Sequence, residues 1–115
     1  MNKPGYVIFN KSDIQWQMVY CNCHELDHEM PEEIVKAITS YNFIGKFYKD
    51  DYICMNDGRD AIKNDNNLFV LSDYSGVKYI WQVGSKVADM EGFIIPHAYY
   101  VRCIGIVVGE VVKST

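Results

Sequence analysis

The chain has 115 residues, of which 49% are hydrophobic and 23% are charged, and its formal net charge is -4. This length and composition predict a single domain over residues 1–115 and exclude a low-complexity or disordered chain. The acidic balance, with Arg59 and Arg102 as the only arginines, argues against direct nucleic-acid binding, because that affinity depends on Lys and Arg contacts to phosphates.

The N-terminal segment contains an apolar run of only four residues, Tyr6 to Phe9. A secretory signal requires about 7 to 15 apolar residues, and a membrane-spanning helix about 20. We therefore expect a cytoplasmic protein that does not contact a membrane, and the sequence indicates no cofactor. Without an export signal the four cysteines are expected to be reduced thiols, with Cys54 and Cys103 inert in apolar surroundings.

Two short apolar runs near the N-terminus predict strands. Gly5 to Phe9 forms the first run, and Ile14 to Tyr20 alternates apolar and polar residues as a half-buried strand does. Asn10 to Asp13 supplies turn residues between them. The economical interpretation is an antiparallel hairpin.

The apolar period changes to that of a helix between Pro31 and Tyr41. Pro31 suits a first helical position, and Glu32 and Glu33 fall in the first turn, where the helix dipole favours carboxylates. We expect one main helix over about residues 31–41.

The rest of the chain predicts short strands separated by turn signals. We expect strands at 43–48 and 52–55, a polar loop at 56–67 with one helical turn at Ala61 and Ile62, a hairpin pairing 68–71 with 77–83, a loop at 84–92, a strand at 93–95 stopped by Pro96, and strands at 99–108 and 111–112 bent at Gly105 and Gly109. The predicted fold is α+β, a mostly antiparallel, curved sheet or partial barrel with one main helix.

Cys21 to Glu33, CNCHELDHEMPEE, carries the most informative residues. The string H-E-x-x-H is typical of zinc hydrolases, with His24 and His28 as metal ligands and Glu25 as general base. The string HELDH resembles the metal motif of peptide deformylases over five residues, a resemblance that implies a helix-borne metal site. The chain departs from that family because no G-x-G-x-A-A segment occurs.

Zinc chemistry requires His24 and His28 on one helix turn, and Pro31 should end any such helix at Met30. No spacing rule identifies a third ligand, although Glu91 and His97 are candidates. The zinc hydrolase therefore remains the alternative hypothesis.

The leading interpretation uses the carboxylates instead, because no Lys or Arg lies between Lys11 and Lys36. An anionic surface attracts a cationic partner, and exposed tyrosines suit protein interfaces. We expect a non-enzymatic binding protein for a basic partner, such as an immunity protein or inhibitor of a nuclease toxin. A subunit that docks in a larger assembly is a further alternative. The predicted partner-binding residues are Glu25, Asp27, Glu29, Glu32, Glu33, Tyr48, Asp50, Asp51 and Tyr52.

Overall fold

The computed structural model describes residues 2–20, 42–65 and 67–112, and strands dominate them. The strands are β1 (Asn2–Ile8), β2 (Gln17–Tyr20), β3 (Asn42–Lys46), β4 (Ile53–Cys54), β5 (Leu68–Ser72), β6 (Lys78–Ala88) and β7 (Ile94–Val112). Within these ranges the helical elements are three short 3₁₀ helices, Lys11–Asp13, Lys49–Asp51 and Asp57–Ile62. The last of these confirms the predicted helical turn at Ala61 and Ile62.

The seven strands form one sheet in the order β3-β5-β6-β7-β1-β4, with β2 also paired to β7. β1 and β4 are parallel and the other pairs are antiparallel, so the sheet is mixed. The predicted sheet-rich, largely antiparallel fold is confirmed, but the sheet does not close into a barrel. The one main helix is not borne out: residues 31–41 lie outside the described ranges, which contain only 3₁₀ turns.

The predicted N-terminal hairpin is wrong, because β1 and β2 do not pair with each other. Both run antiparallel to β7, β1 along Gly105 to Val112 and β2 along Ala98 to Val101. Between them the backbone N–H of Asp13 donates to the Asn10 carbonyl at 3.0 Å. After this local turn the chain rejoins the sheet as β2. β2 runs in the same direction as β1 and pairs with an earlier part of β7.

The predicted break in the C-terminal half is also wrong. β6 continues to Ala88 and β7 begins at Ile94 and runs through Pro96. The register between β6 and β7 shifts there. Lys86 pairs with Tyr99, but Ala88, two residues later, pairs with Ile94, five residues earlier in β7. A proline lacks the N–H that a regular ladder needs, so it is tolerated in such an irregular stretch.

The bends predicted at Gly105 and Gly109 are confirmed by bulges. The register of β7 shifts against β6 next to Gly105 and against β1 next to Gly109. A Cβ on Gly105 would lie 2.5 Å from the backbone oxygen of Val7, so only glycine allows the two strands to approach this closely. Bulges of this kind increase strand twist and give the sheet its irregular curvature.

One core cluster packs the Asp57–Ile62 turn against one face of the sheet. Its buried members are Tyr6, Ile8, Phe47, Ile62, Leu68, Val70, Ile80 and Ile104. Ile62 is 1% exposed, so this short turn contributes one fully buried side chain to the cluster. The cluster therefore ties β1 to a segment more than 50 residues away in sequence.

The molecule is elongated, measuring 55 × 26 × 23 Å. β7 has 19 residues, enough for about 60 Å of extended strand. The β1–β4 edge lies beside the C-terminal half of β7, and the β6–β7 turn lies at its N-terminal end. In the described part of the chain no helix is long and apolar enough to cross a bilayer.

Candidate functional site

Four of the predicted partner-binding residues come together around the Lys49–Asp51 turn. Tyr48 precedes the turn with its side chain 59% exposed, Asp50 and Asp51 are exposed within it, and Tyr52 follows it half-buried. The other predicted residues, Glu25, Asp27, Glu29, Glu32 and Glu33, lie outside the described ranges. That the two groups of residues form one partner-binding surface stays a prediction.

The zinc hypothesis also stays a prediction, because His24 and His28 lie outside the described residues. Among the residues that are described, no group of three His, Cys, Asp or Glu side chains could hold a metal ion.

The Lys49–Asp51 turn is held in place from both sides. The backbone N–H of Asp51 donates to the Tyr48 carbonyl at 2.9 Å, and the Lys3 ammonium donates to the Asp50 carbonyl at 3.2 Å. The Tyr52 ring stacks on Phe47 with centroids 4.6 Å apart. Burial, and then the neighbouring Asp51 carboxylate, raise the pKa of the Tyr52 hydroxyl. A braced turn of this kind presents its exposed side chains at little entropic cost.

A cleft of about 570 Å³ opens beside this turn at the β1–β4 edge of the sheet. We call it the β1–β4 cleft, and its lining residues are Lys3, Tyr6, Lys49, Asp50, Tyr52, Ile53, Cys54, Asn56 and Arg59. Three of these are cations and one is a carboxylate, so the lining carries a net charge of +2. The surface around Asp50 is therefore mixed in charge, whereas the sequence predicted an acidic one.

Tyr6 and Cys54 contact each other in this cleft. Burial raises the pKa of the Tyr6 hydroxyl to about 12, and a side-chain hydrogen bond with Cys54 adds to the effect, while the nearby Arg59 charge opposes it. The hydroxyl therefore stays protonated at neutral pH. The Cys54 thiol donates to the Asn56 carbonyl at 2.9 Å.

Asn56 extends the pairing of β1 beyond the end of β4. Its side-chain amide donates to the Ile8 carbonyl at 2.7 Å, and its side-chain oxygen accepts from the N–H of Ile8 and of Gly58, both at 3.2 Å. The side chain thus replaces a strand residue and caps the following turn. A Cβ on Gly58 would come within 2.2 Å of the Ile8 Cβ, so glycine is required at this close approach.

The two described cysteines, Cys54 and Cys103, are free thiols, as predicted. Burial raises the pKa of Cys103 to about 11 despite a backbone hydrogen bond with Gly105 that lowers it, which fits an inert thiol. Cys54 differs from the prediction because it lines a cleft together with charged side chains.

The second exposed feature is the turn between β6 and β7. Asp89 accepts a backbone hydrogen bond from Gly92 at 3.0 Å, and its carboxylate accepts from the N–H of Glu91 and of Phe93, both at 2.9 Å. Gly92 has a φ of +88°, a left-handed conformation that favours glycine. Met90 is fully exposed, Phe93 is 67% exposed and Ile94 is 57% exposed. We call residues 89–94 the hairpin tip.

The turn between β5 and β6 has the same construction. Asp73 accepts from Gly76 at 3.1 Å, its carboxylate accepts from Ser75 and Val77 at 2.9 Å, and Gly76 has a φ of +91°. The sequence signal was therefore present twice, as DYSGV and as DMEGF. The sequence analysis predicts a hairpin at the first string and a loop over 84–92 at the second, so it does not identify the exposed apolar residues of the hairpin tip.

Comparison with known proteins adds no assignment: no family model, no curated protein and no solved structure matches this chain.

Proposed function

We propose that this chain is a non-enzymatic binding protein that neutralises or sequesters a basic partner protein, in the manner of an immunity protein or inhibitor of a nuclease toxin. The observation that carries the proposal is the hairpin tip, where Met90, Phe93 and Ile94 are exposed beside Asp89 and Glu91.

The turn itself does not require these apolar side chains. The equivalent turn at Asp73 forms the same hydrogen bonds with one large exposed side chain, Tyr74, at the position of Met90; Val77 at the position of Phe93 is half-buried, and Lys78 replaces Ile94. Large apolar side chains clustered at a rigid, exposed site mark protein interaction surfaces, and aromatic and methionine residues are enriched in such contacts.

Charge supports a basic partner. Residues 21–41 contain five of the 15 acidic residues and one of the 11 basic residues, which leaves ten of each sign in the rest of the chain. The whole net charge of -4 therefore belongs to that segment. A concentrated negative charge steers a cationic partner and raises its association rate.

The Lys49–Asp51 turn offers a second contact surface through Tyr48, Asp50 and Asp51. It lies at the opposite end of β7 from the hairpin tip, as the pairing of β1 with β4 and β7 requires. A partner that contacts both ends must therefore span much of the 55 Å long axis.

The test compares three forms of the protein as bait in extracts of the cell of origin. We expect the unaltered protein to retain a basic protein, the double variant Met90→Ser, Phe93→Ser to lose it, and the matched control Tyr74→Ser to retain it. With the purified partner, the double variant should bind about 100-fold more weakly, which corresponds to the loss of one interface hot spot. Because these side chains are exposed, the free energy of unfolding should change by less than about 0.5 kcal/mol per residue.

Two outcomes would overturn the proposal. One is that the three baits retain the same proteins in the same amounts. The other is that the protein retained specifically is acidic, because the charge argument would then fail.

A further inference from the structure

The lining of the β1–β4 cleft is positively charged, although the chain as a whole has a net negative charge. Its cations come from three separate elements: Lys3 from β1, Lys49 from the turn before β4, and Arg59 from the Asp57–Ile62 turn. Folding brings them around a single carboxylate, Asp50, in a protein with a net charge of -4. Like charges gathered in this way repel one another, so the arrangement favours an anion among them.

None of these three cations forms an ion pair with a described carboxylate, and the nearby carboxylates of Asp50 and Asp60 line an adjoining depression with Lys49 and Arg59. The Lys3 ammonium donates to the Asp50 carbonyl, and the Lys49 ammonium donates to the Lys63 carbonyl. Each bond uses one of three N–H groups and reaches a neutral acceptor. Arg59 makes no hydrogen bond or ion pair with the described residues, whereas Arg102 donates to Gln82 at 2.6 Å and lies over the Trp16 ring at 4.2 Å.

The rest of the cleft is suited to an organic molecule. Tyr52 and Ile53 are half-buried and provide an aromatic and an aliphatic wall. The protonated Tyr6 hydroxyl and the Cys54 thiol add polar groups to the lining. A volume of about 570 Å³ lies within the range of small-molecule sites, which combine apolar walls with a few polar groups.

We propose that the β1–β4 cleft binds a small organic anion. Lys3, Lys49 and Arg59 hold its phosphate or carboxylate group, and Tyr52 and Ile53 contact its planar, apolar portion. Arg59 provides the guanidinium fork that matches the oxygens of either group. This site is distinct from the hairpin tip, so it can be tested whether or not the protein-binding proposal holds.

Phenyl phosphate is the primary probe, because it combines a dianionic group with one ring. We expect saturable binding at millimolar concentrations or below, followed by backbone NMR shifts of Ile53, Asn56 and Arg59 and by calorimetry. Phenol lacks the charge and inorganic phosphate lacks the ring, so each should bind at least about tenfold more weakly. Benzoate distinguishes the head groups: tighter binding of benzoate assigns a carboxylate ligand, and tighter binding of phenyl phosphate assigns a phosphate ligand.

Substitutions locate the site. Arg59→Gln removes an exposed guanidinium and should weaken binding of phenyl phosphate about tenfold or more. Lys78→Gln is the matched control, because it removes one exposed cation from β6 outside the cleft. Lys3→Gln provides an independent second variant if Arg59→Gln does not fold.

The proposal is overturned if neither phenyl phosphate nor benzoate gives saturable shifts at the β1–β4 edge. It is also overturned if Lys78→Gln weakens binding as much as the cleft variants, since the effect would then be general surface charge.

Discussion

The two ends of β7 differ in how their structure is maintained. At the β1–β4 end, segments distant in sequence meet around a buried cluster, and the exposed charges frame a cleft. At the hairpin tip, five consecutive residues close their own turn, and the apolar side chains face solvent. Residues at the first end are therefore constrained by packing, whereas the turn at the hairpin tip is closed by backbone and Asp89 hydrogen bonds and leaves the Met90, Phe93 and Ile94 side chains exposed. This difference is why the hairpin tip gives the clearer argument for a binding role.

Alanine substitution of one glycine at each end of β7 should give the largest difference in stability between the two ends. Gly58→Ala places a methyl group against the Ile8 side chain, where contacts of 2.2 and 2.7 Å force the core to shift. We expect a loss of about 3 kcal/mol in the free energy of unfolding, at the upper end of overpacking effects. Gly92→Ala meets no atom within 4 Å and introduces only the strain of a positive φ, about 1 kcal/mol.

Urea denaturation of both variants measures this difference. Equal losses for Gly58→Ala and Gly92→Ala would contradict the view that packing constrains one end and local geometry the other.

The asparagines give a smaller contrast between tertiary and local hydrogen bonding. Asn56→Ala removes two hydrogen bonds that join the Asp57–Ile62 turn to the partly buried backbone of Ile8, and a third that caps the turn at Gly58. Its expected cost is about 2 kcal/mol, because backbone groups of Ile8 lose their partners. Asn10→Ala removes exposed bonds to Ser12 within one turn and should cost less than about 1 kcal/mol.

Hydrogen exchange of the Ile8 amide is the sharper readout for Asn56→Ala. Protection of this amide should fall in that variant and stay unchanged in Asn10→Ala, and an unchanged Ile8 amide in both would exclude the strand-extending role of Asn56.

The smallest effect concerns pH at the β5–β6 turn. Hydrogen bonds from the Ser75 side chain first, and from the backbone of Val77, Ser75 and Gly76 as well, lower the pKa of Asp73 below 3.8. Because the pKa of Asp73 is lower in the folded state, its hydrogen bonds stabilise the fold above the unfolded-state pKa. This stabilisation is lost as the pH falls through the folded-state pKa. The Val77 amide shift should therefore titrate below pH 3.8, and the transition should vanish in Asp73→Asn. A midpoint above that value would contradict the hydrogen bonding described for this turn.

Local signals in the sequence predicted most strands, but they did not predict which distant strands pair with each other. The β5–β6 hairpin, the short strands on either side of Lys49–Asp51 and the bends at Gly105 and Gly109 all follow from nearby turn residues or glycines. The alternation of Ile14 to Tyr20 indicated a strand but could not identify β7 as its partner. Pro96 predicts the end of a strand, but β7 continues through it because the pairing with β6 is irregular there, and only the folded sheet determines that register.

The candidate sites divide in the same way. Tyr48, Asp50, Asp51 and Tyr52 are neighbours in sequence, so their grouping was predictable. Lys3 and Arg59 are 56 positions apart, and only the parallel pairing of β1 with β4 brings them to one cleft. No property of either residue in isolation indicated that they meet.

The position of β7 at the centre of the sheet also affects how the chain folds during synthesis. β1 and β2 have β7 as their antiparallel partner, and β7 contains residues 94–112. A nascent chain that has just left the ribosome with β1 must keep Tyr6 and Ile8 without that partner until about 100 more residues have been translated, which takes several seconds or more at typical rates. Folding should therefore be slow and should follow completion of β7, because every contact of β1 with β7 closes a long loop. During that interval the apolar residues of β1 are open to aggregation and to chaperones.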